Sequence, residues 1–376
     1  RSTLFPYTTL FRSFAFRSRE GRRLNMLKKQ TMKKQSLLSK AANPKYIMVY
    51  ATIGIFLIIY LFGAVAYGSK GFTTLRTFVN MFIDNAYYGI SAVGMTMVLI
   101  TGGIDLSVGA VASLTGMFIA YGNTVLGLHP LVCILAAMVV GVGLGLLMGA
   151  TIHYLNVPPF ITTLTGMFLA RGVCSLISRE SINISHPMMD ALAQWKVYFM
   201  HLKDGEWVKI KPICFINFNL LLFLVMIVVG IVLLQKTRFG RNVYAIGGNE
   251  QSAKLMGLPV AKTKILVYGF NGFCSVLAGV AYALYVKSGW NLALQGGELE
   301  VITCAVIGGT LLTGGVGYMI GTLFGVLLKS IIPALITFNG NLLSWWGKIA
   351  TGALLLLFIC IQRIVVTYTG KRKAKK

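Results

Sequence analysis

The sequence predicts an all-α polytopic membrane protein with about ten transmembrane helices. Hydrophobic residues make up 56% of the 376 and charged residues 12%, for a mean hydropathy of +0.74. About a quarter of a soluble domain is charged. The apolar residues fall in runs close to the ~20 residues that a bilayer helix needs. No large charged stretch interrupts them, so residues 46–366 read as one membrane domain without a built-in ATPase or binding module.

The first run, 46–67, follows a polybasic segment, 26–45. Ala64-Val65-Ala66 resembles a signal-peptide cleavage site. The run is longer than the about 7–15 apolar residues of a cleaved signal, however, and reads as an uncleaved first span. Nine more runs follow, at 83–100, 105–121, 131–152, 160–178, 214–234, 264–287, 299–313, 316–337 and 347–366. Those at 105–121 and 299–313 are short. Gly141, Gly145 and Gly149 recur at helical spacing and permit close helix packing. Spans 2–5 and 7–10 enter the membrane in opposite senses, the plan of an inverted repeat.

Charge sets the orientation. The 235–264 connection carries Lys236, Arg238, Arg241, Lys254, Lys262 and Lys264 against Glu250 alone, and 367–376 is a basic tail. Both read as cytoplasmic, as does the N-terminal segment, which puts both termini inside. The 179–213 connection is nearly balanced and reads as external. Trp195, Trp207, Trp290, Trp345 and Trp346 all fall in external segments, where interfacial anchoring explains them. The net charge of +25 therefore marks cytoplasmic loops and contact with anionic lipid, not nucleic-acid binding. Residues 1–13 resemble a translated sequencing adapter; 1–25 reads as a non-native segment, with Met26 and Met32 as candidate starts. The six cysteines (133, 174, 214, 274, 304 and 360) form no CxxC pair and read as small buried apolar residues.

Three stretches stand out. In TGGIDLSVGA, 101–110, Asp105 is almost the only carboxylate near the hydrocarbon zone. A charge there costs roughly 2.5–3.5 kcal/mol at mid-bilayer. It either N-caps the next span or, with Ser107, lines a solute path or gate; the roles can coexist. Gly102, Gly103 and Gly109 allow the backbone to break. Asp84 and Asn85 are further caps, Asn85 also a candidate path residue. In 237–264, Gly247-Gly248 breaks the chain, Asn249 N-caps a short helix with Glu250 in its first turn, and Gly257 and Pro259 end it. So short a helix needs something to dock on. In 296–321, Glu298 and Glu300 open span 8 as candidate path residues, and the pairs Gly308-Gly309 and Gly314-Gly315 break spans 8 and 9. Broken helices near the midplane are where transporters bind solute.

These stretches, in this order, resemble permease subunits of the ribose/galactose class of ATP-binding-cassette sugar importers: GGIDLSVG, TRFGRNVYAIGGN with SAKLMG, and GGTLLTGGVG. The resemblance covers roughly 46–366. NMFIDNAYYGISAVGMTMVLITGGIDLSVG, RESINISHP and NLLSWWGKI are similar to the galactofuranose-type permease. One departure is ELEVIT at 298–303, where the family commonly has ELDAIA. The resemblance implies a permease that works as a pair with itself or with a sister chain. It also implies a periplasmic sugar-binding protein and a cytoplasmic ATPase that binds the ATP, so this chain needs no cofactor. The coupling segment to that ATPase would include Arg238, Gly240, Arg241, Gly247, Gly248, Asn249, Glu250, Ala253 and Gly257.

Two other classes compete. An ion-coupled carrier of a small polar solute needs ionisable residues inside its spans; Asp105 is nearly alone, with Arg171 and Lys287 near span ends. A membrane enzyme finds no HExxH or paired-carboxylate motif, and His129, His153, His186 and His201 are scattered.

Overall fold

The structure, a computed structural model, describes residues 44–203, 206–209, 212–343 and 345–374. The expected non-native 1–25 segment and nearly all of the basic 26–45 segment lie outside the described residues. Val49–Lys376 forms one compact unit; the described residues before it, 44–48, are the start of α1.

The helices are α1 (Pro44–Tyr67), α2 (Leu75–Ile83), α3 (Ala86–Ile100), α4 (Val108–Thr124), α5 (Pro130–Tyr154), α6 (Pro159–Ile177), α7 (Pro187–Gln194), α8 (Phe218–Lys236), α9 (Arg238–Gly248), α10 (Glu250–Leu255), α11 (Val260–Val286), α12 (Gly297–Ile307), α13 (Met319–Asn339) and α14 (Trp345–Ala374). Short strands, β1 (Ile182–Asn183), β2 (Lys196–Tyr198), β3 (Met200–Lys203), β4 (Glu206–Lys209), β5 (Phe215–Asn217) and β6 (Ser288–Gly289), pair antiparallel as β1–β6, β2–β5 and β3–β4. The 179–213 connection is thus structured by α7 and these strands rather than a plain loop.

Seven helices among the described residues, α1, α5, α6, α8, α11, α13 and α14, are long and apolar enough to cross a membrane. The other three expected spans are shorter. α3 has 15 residues, α4 17 and α12 11, about 22, 25 and 16 Å at 1.5 Å per residue. The expected 299–313 span stops at Ile307, and residues 308–318 form a non-helical link instead. The glycines there end a helix rather than interrupt one.

The connections nonetheless alternate between two ends of the bundle. At one end, a cleft of about 450 Å³ brings together Thr101–Gly103, Asn156–Pro159, Glu250, Lys254 and Lys264, and Gly315 N–H donates to the Ile100 carbonyl. At the other, β1 pairs with β6, and Thr124 Oγ1 donates to the Asn183 carbonyl at 2.8 Å. There too Lys287 Nζ meets Asp190 Oδ1 at 2.7 Å, Tyr285 OH donates to Asp84 Oδ1 at 3.3 Å, and Asn339 Nδ2 to Tyr67 OH at 2.9 Å. Segments expected inside and outside are separated accordingly.

α3 and α11 form the centre. Every residue of α3 except Tyr87 and Tyr88 is buried. α11 packs on α3, α4 and α5, while α3 packs on α11, α12 and α13. Exchanging α3–α6 with α11–α14 reproduces these pairings, the mark an internal repeat leaves. The α5–α11 contact is made by small residues, as the spacing predicts. A Cβ on Gly145 would strike the Tyr268 carbonyl, and one on Gly149 would lie 2.8 Å from the Ile265 Cα. Gly143, on another face of α5, has open space around it. Gly145→Val should lower stability by about 1–3 kcal/mol through overpacking and Gly143→Ala should not; thermal unfolding of the detergent-purified variants checks this.

Candidate functional site

The 101–107 segment turns back into the bundle. Asp105 is 1% exposed. Its Oδ1 accepts from Ser107 N–H at 2.8 Å and Ser107 Oγ at 2.7 Å, and its Oδ2 from Asn271 Nδ2 of α11 at 2.7 Å. The N-cap of α4 is Ser107, whose side chain makes no cap bond. Asp105 therefore does not cap α4; it closes an Asx-type turn and ties the loop to α11. Asn85 occupies the N-cap of α3, likewise without a side-chain cap bond, and Asp84 ends α2 while pairing with Tyr285. Short polar side chains are natural caps, but each of these instead bonds a side chain brought to it by a distant helix.

The starts of α4 and α12 meet inside the bundle. A Cβ on Gly109 would sit 2.8 Å from Glu298 Oε2, an oxygen that is buried without a hydrogen-bond donor. A carboxylate near two helix N-termini is favoured by their dipoles. The re-entrant segment before α12 is held by side chains aimed at its carbonyls. Ser113 Oγ donates to the Trp290 carbonyl at 2.8 Å, and Arg171 Nη1 to those of Asn291 and Ala293 at 2.8 and 2.7 Å. Irregular backbone deep in a membrane protein needs such partners.

A second cluster gathers Asn85 and Glu300. Lys329 of α13, 6% exposed, donates to Asn85 Oδ1 at 2.9 Å. Its ammonium lies 3.8 Å from the centroid of the Tyr88 ring and 3.5 Å from Glu300 Oε2. Asp105 is therefore not nearly alone: an ion pair between a buried lysine and a half-buried glutamate lies within the bundle. Sequence reading missed Lys329 because a single lysine barely lowers the hydropathy of a 21-residue apolar helix.

The third assembly joins all three motifs. A Cβ on Gly247 would overlap the Ile100 carbonyl and lie 2.6 Å from Gly315 N; one on Gly314 would lie 2.9 Å from Gly102 N. Gly314 and Gly315 have φ of +83° and +75°, which glycine adopts without the Cβ penalty. Tyr244 OH donates to the Gly317 carbonyl at 2.6 Å. Beyond this junction the chain does what its residues predict. Asn249 Oδ1 caps α10 by accepting from Ser252 N–H at 2.8 Å, Glu250 sits in the first turn and pairs with Lys264 at 2.6 Å, and Gly257 takes φ +73°. Ala253 is buried against Ile246 and Val260, and Gly240 against the Leu234 carbonyl. Arg238, Arg241, Gly248 and Asn249 are exposed. Leu255 and Met256 are 90% and 67% exposed, two apolar side chains the sequence reading passed over.

Residues 77–359 match the family described as "Branched-chain amino acid transport system / permease component". The chain belongs to this family. It is 45% identical over 314 residues to the inner membrane ABC transporter permease protein YjfF of Escherichia coli (strain K12), covering 83% of this chain and 90% of that one. It is 36% identical to the fructose import permease protein FruG of Bifidobacterium longum (strain NCC 2705), covering 86% and 92%. It is 34% identical to the ribose import permease protein RbsC of Escherichia coli (strain K12), covering 78% and 88%. No solved structure matches. Family membership and the apolar helices make this a multi-pass inner-membrane permease component, with the ATPase a separate subunit.

Other residues are structural. His129 and His186, far apart in sequence, have rings 5.1 Å apart, but each Nδ1 caps a helix that opens with proline. Five cysteines are buried; Cys360 is exposed, against expectation, because it faces outward from α14. Asp105→Ala strands three buried donors. It should lower stability by about 1–3 kcal/mol, and Ser107→Ala by less, in thermal melts of the purified protein.

Proposed function

We infer that this chain is the membrane-spanning permease of an ATP-binding-cassette importer for a monosaccharide, driven by a partner ATPase through the α9–α10 segment. The observation that carries this is the glycine junction: α9 ends against the terminus of the central helix α3 and the 308–317 link. A push on α10 therefore reaches the α3 end through backbone contacts, without intervening flexible side chains. α10 presents Leu255 and Met256 to whatever grips it, and its own six residues are too few to be stable alone. The basic residues of 235–264 at this end support a cytoplasmic setting for it and for both termini.

In this reading a periplasmic binding protein hands over the sugar, a second permease chain completes the path, and closure of the ATPase rocks the two repeats about α3 and α11. The names of the fructose and ribose permeases support a monosaccharide as cargo. The narrower choice of galactofuranose rests on the resemblance of the 80–109, 179–187 and 341–349 segments. The Lys329–Glu300 pair is what an ion-coupled carrier would use. Uptake into proteoliposomes driven by an ion gradient without ATP would favour that second reading.

Leu255→Asp with Met256→Asp should leave membrane insertion intact and abolish co-purification with the ATPase. Gly247→Ala should keep association yet reduce ATP-driven uptake at least about tenfold, since overlap of this kind costs 1–3 kcal/mol in a packed site. Stable co-purification of the double aspartate variant counts against the assignment.

A further inference from the structure

Lys329 lies ten residues from each end of α13, about 15 Å from either, which is midway through the bundle. A lone ammonium at such depth is costly, and pairing alone does not remove the cost unless its hydrogen bonds are also filled. Of its three donors, one goes to Asn85 Oδ1, and the ammonium also sits on the Tyr88 ring face, 3.8 Å from its centroid. Glu300 Oε2, at 3.5 Å, offsets the charge but receives no hydrogen bond.

The pair borders a cavity of about 200 Å³ whose lining includes Glu300, Lys329, Pro333, Thr337, Lys348 and Thr351. Pro333 has no N–H, so the Lys329 carbonyl one turn earlier loses its helical partner. The lining thus includes the Lys329 ammonium, the Glu300 carboxylate and two threonine hydroxyls, that of Thr337 already donating to the Pro333 carbonyl at 2.9 Å. Lys348 is exposed and lies over the Trp345 ring, 4.9 Å from its centroid. The Lys329–Glu300 pair cancels its own charge, which leaves the exposed Lys348 as the one uncompensated charge on the lining. Alternating donors and acceptors of this kind match neighbouring hydroxyls, each of which both donates and accepts. The volume is below the about 300 Å³ at which drug-sized sites begin, which admits one small ring.

We propose that this pocket between α12, α13 and α14 is where the permease itself holds an uncharged monosaccharide midway across, Glu300 accepting from and Lys329 donating to adjacent sugar hydroxyls. The inference rests on the permease reading above. It makes Glu300, Lys329 and Thr351 determinants of solute class in the membrane subunit, separate from any selection by a binding protein.

The test uses the full complex of this chain with its ATPase and binding protein in proteoliposomes. ATP-dependent uptake of fructose, ribose, xylose and galactose is measured first. If none enters, the permease reading itself fails. A sugar that enters becomes the probe, with Thr337→Cys in a Cys360→Ser background reporting on the pocket. Alkylation of this cysteine by a maleimide should slow about tenfold with the sugar at ten times its dissociation constant, and glucuronate should not slow it. Glu300→Gln should weaken the affinity about tenfold, the loss of one charge-assisted hydrogen bond, so that the same sugar concentration slows alkylation only about twofold. An alkylation rate that ignores the sugar overturns the proposal, as does equal protection by glucuronate, or full protection in Glu300→Gln. If Glu300→Gln fails to assemble, Thr337→Cys with the native pair still decides.

Discussion

The architecture turns on helices that stop inside the protein. An α-helix leaves its last carbonyls and first amides without intrahelical partners, and inside a membrane protein water cannot be relied on to supply them. α3 and α12 both end this way. Local turns from Thr101, Gly102 and Gly103 take up the Met97, Val98 and Leu99 carbonyls, and Gly315 takes up Ile100. At the end of α12, Thr52 Oγ1 donates to the Ile307 carbonyl, and Gln362 Nε2 reaches the Val306 and Thr310 carbonyls at 3.0 and 3.1 Å. Helices α1 and α14, at the two extremes of the described chain, are thus bound to the same short helix.

That requirement explains the glycines. For Gly315 to donate to Ile100, two backbones must approach to hydrogen-bond distance, and Gly247 must fit against the same carbonyl. Backbone packed on backbone has little slack, because protein interiors are as dense as organic crystals. The stretch that ends the central helix is therefore the stretch that bears on the amphipathic α9–α10 segment. Structural closure of a broken helix and mechanical linkage to the cytoplasmic-facing loop are one contact with two consequences.

The buried charges divide by the same logic. Arg171 serves carbonyls of a re-entrant segment, and Asp105 fastens a loop to α11; each is satisfied by protein groups. Glu298 and Glu300 each retain an oxygen without a donor. An unsatisfied buried oxygen costs about 1–3 kcal/mol. Glu298 holds it where the starts of α4 and α12 meet and Glu300 beside a cavity, which distinguishes these two residues from Arg171 and Asp105.

Hydropathy by itself determined the class, the approximate number and order of the apolar segments, and their alternation between two ends, because burial of apolar surface in lipid acts on each segment separately. Local chemistry likewise determined the capped α10 helix, since Asn249, Glu250 and Gly257 act within a few residues of themselves. Only the tertiary structure decided which spans are short, that neither Asp105 nor Asn85 spends its side chain on a helix cap, and that Lys329 joins Glu300. The partners of Asp105 and Asn85 lie 166 and 244 residues away and those of the ion pair sit on different helices, and a partner on another helix leaves no trace in local periodicity. The three glycine motifs were visible one by one; that they touch was not, because close approach is a property of two backbones and each motif contains only one.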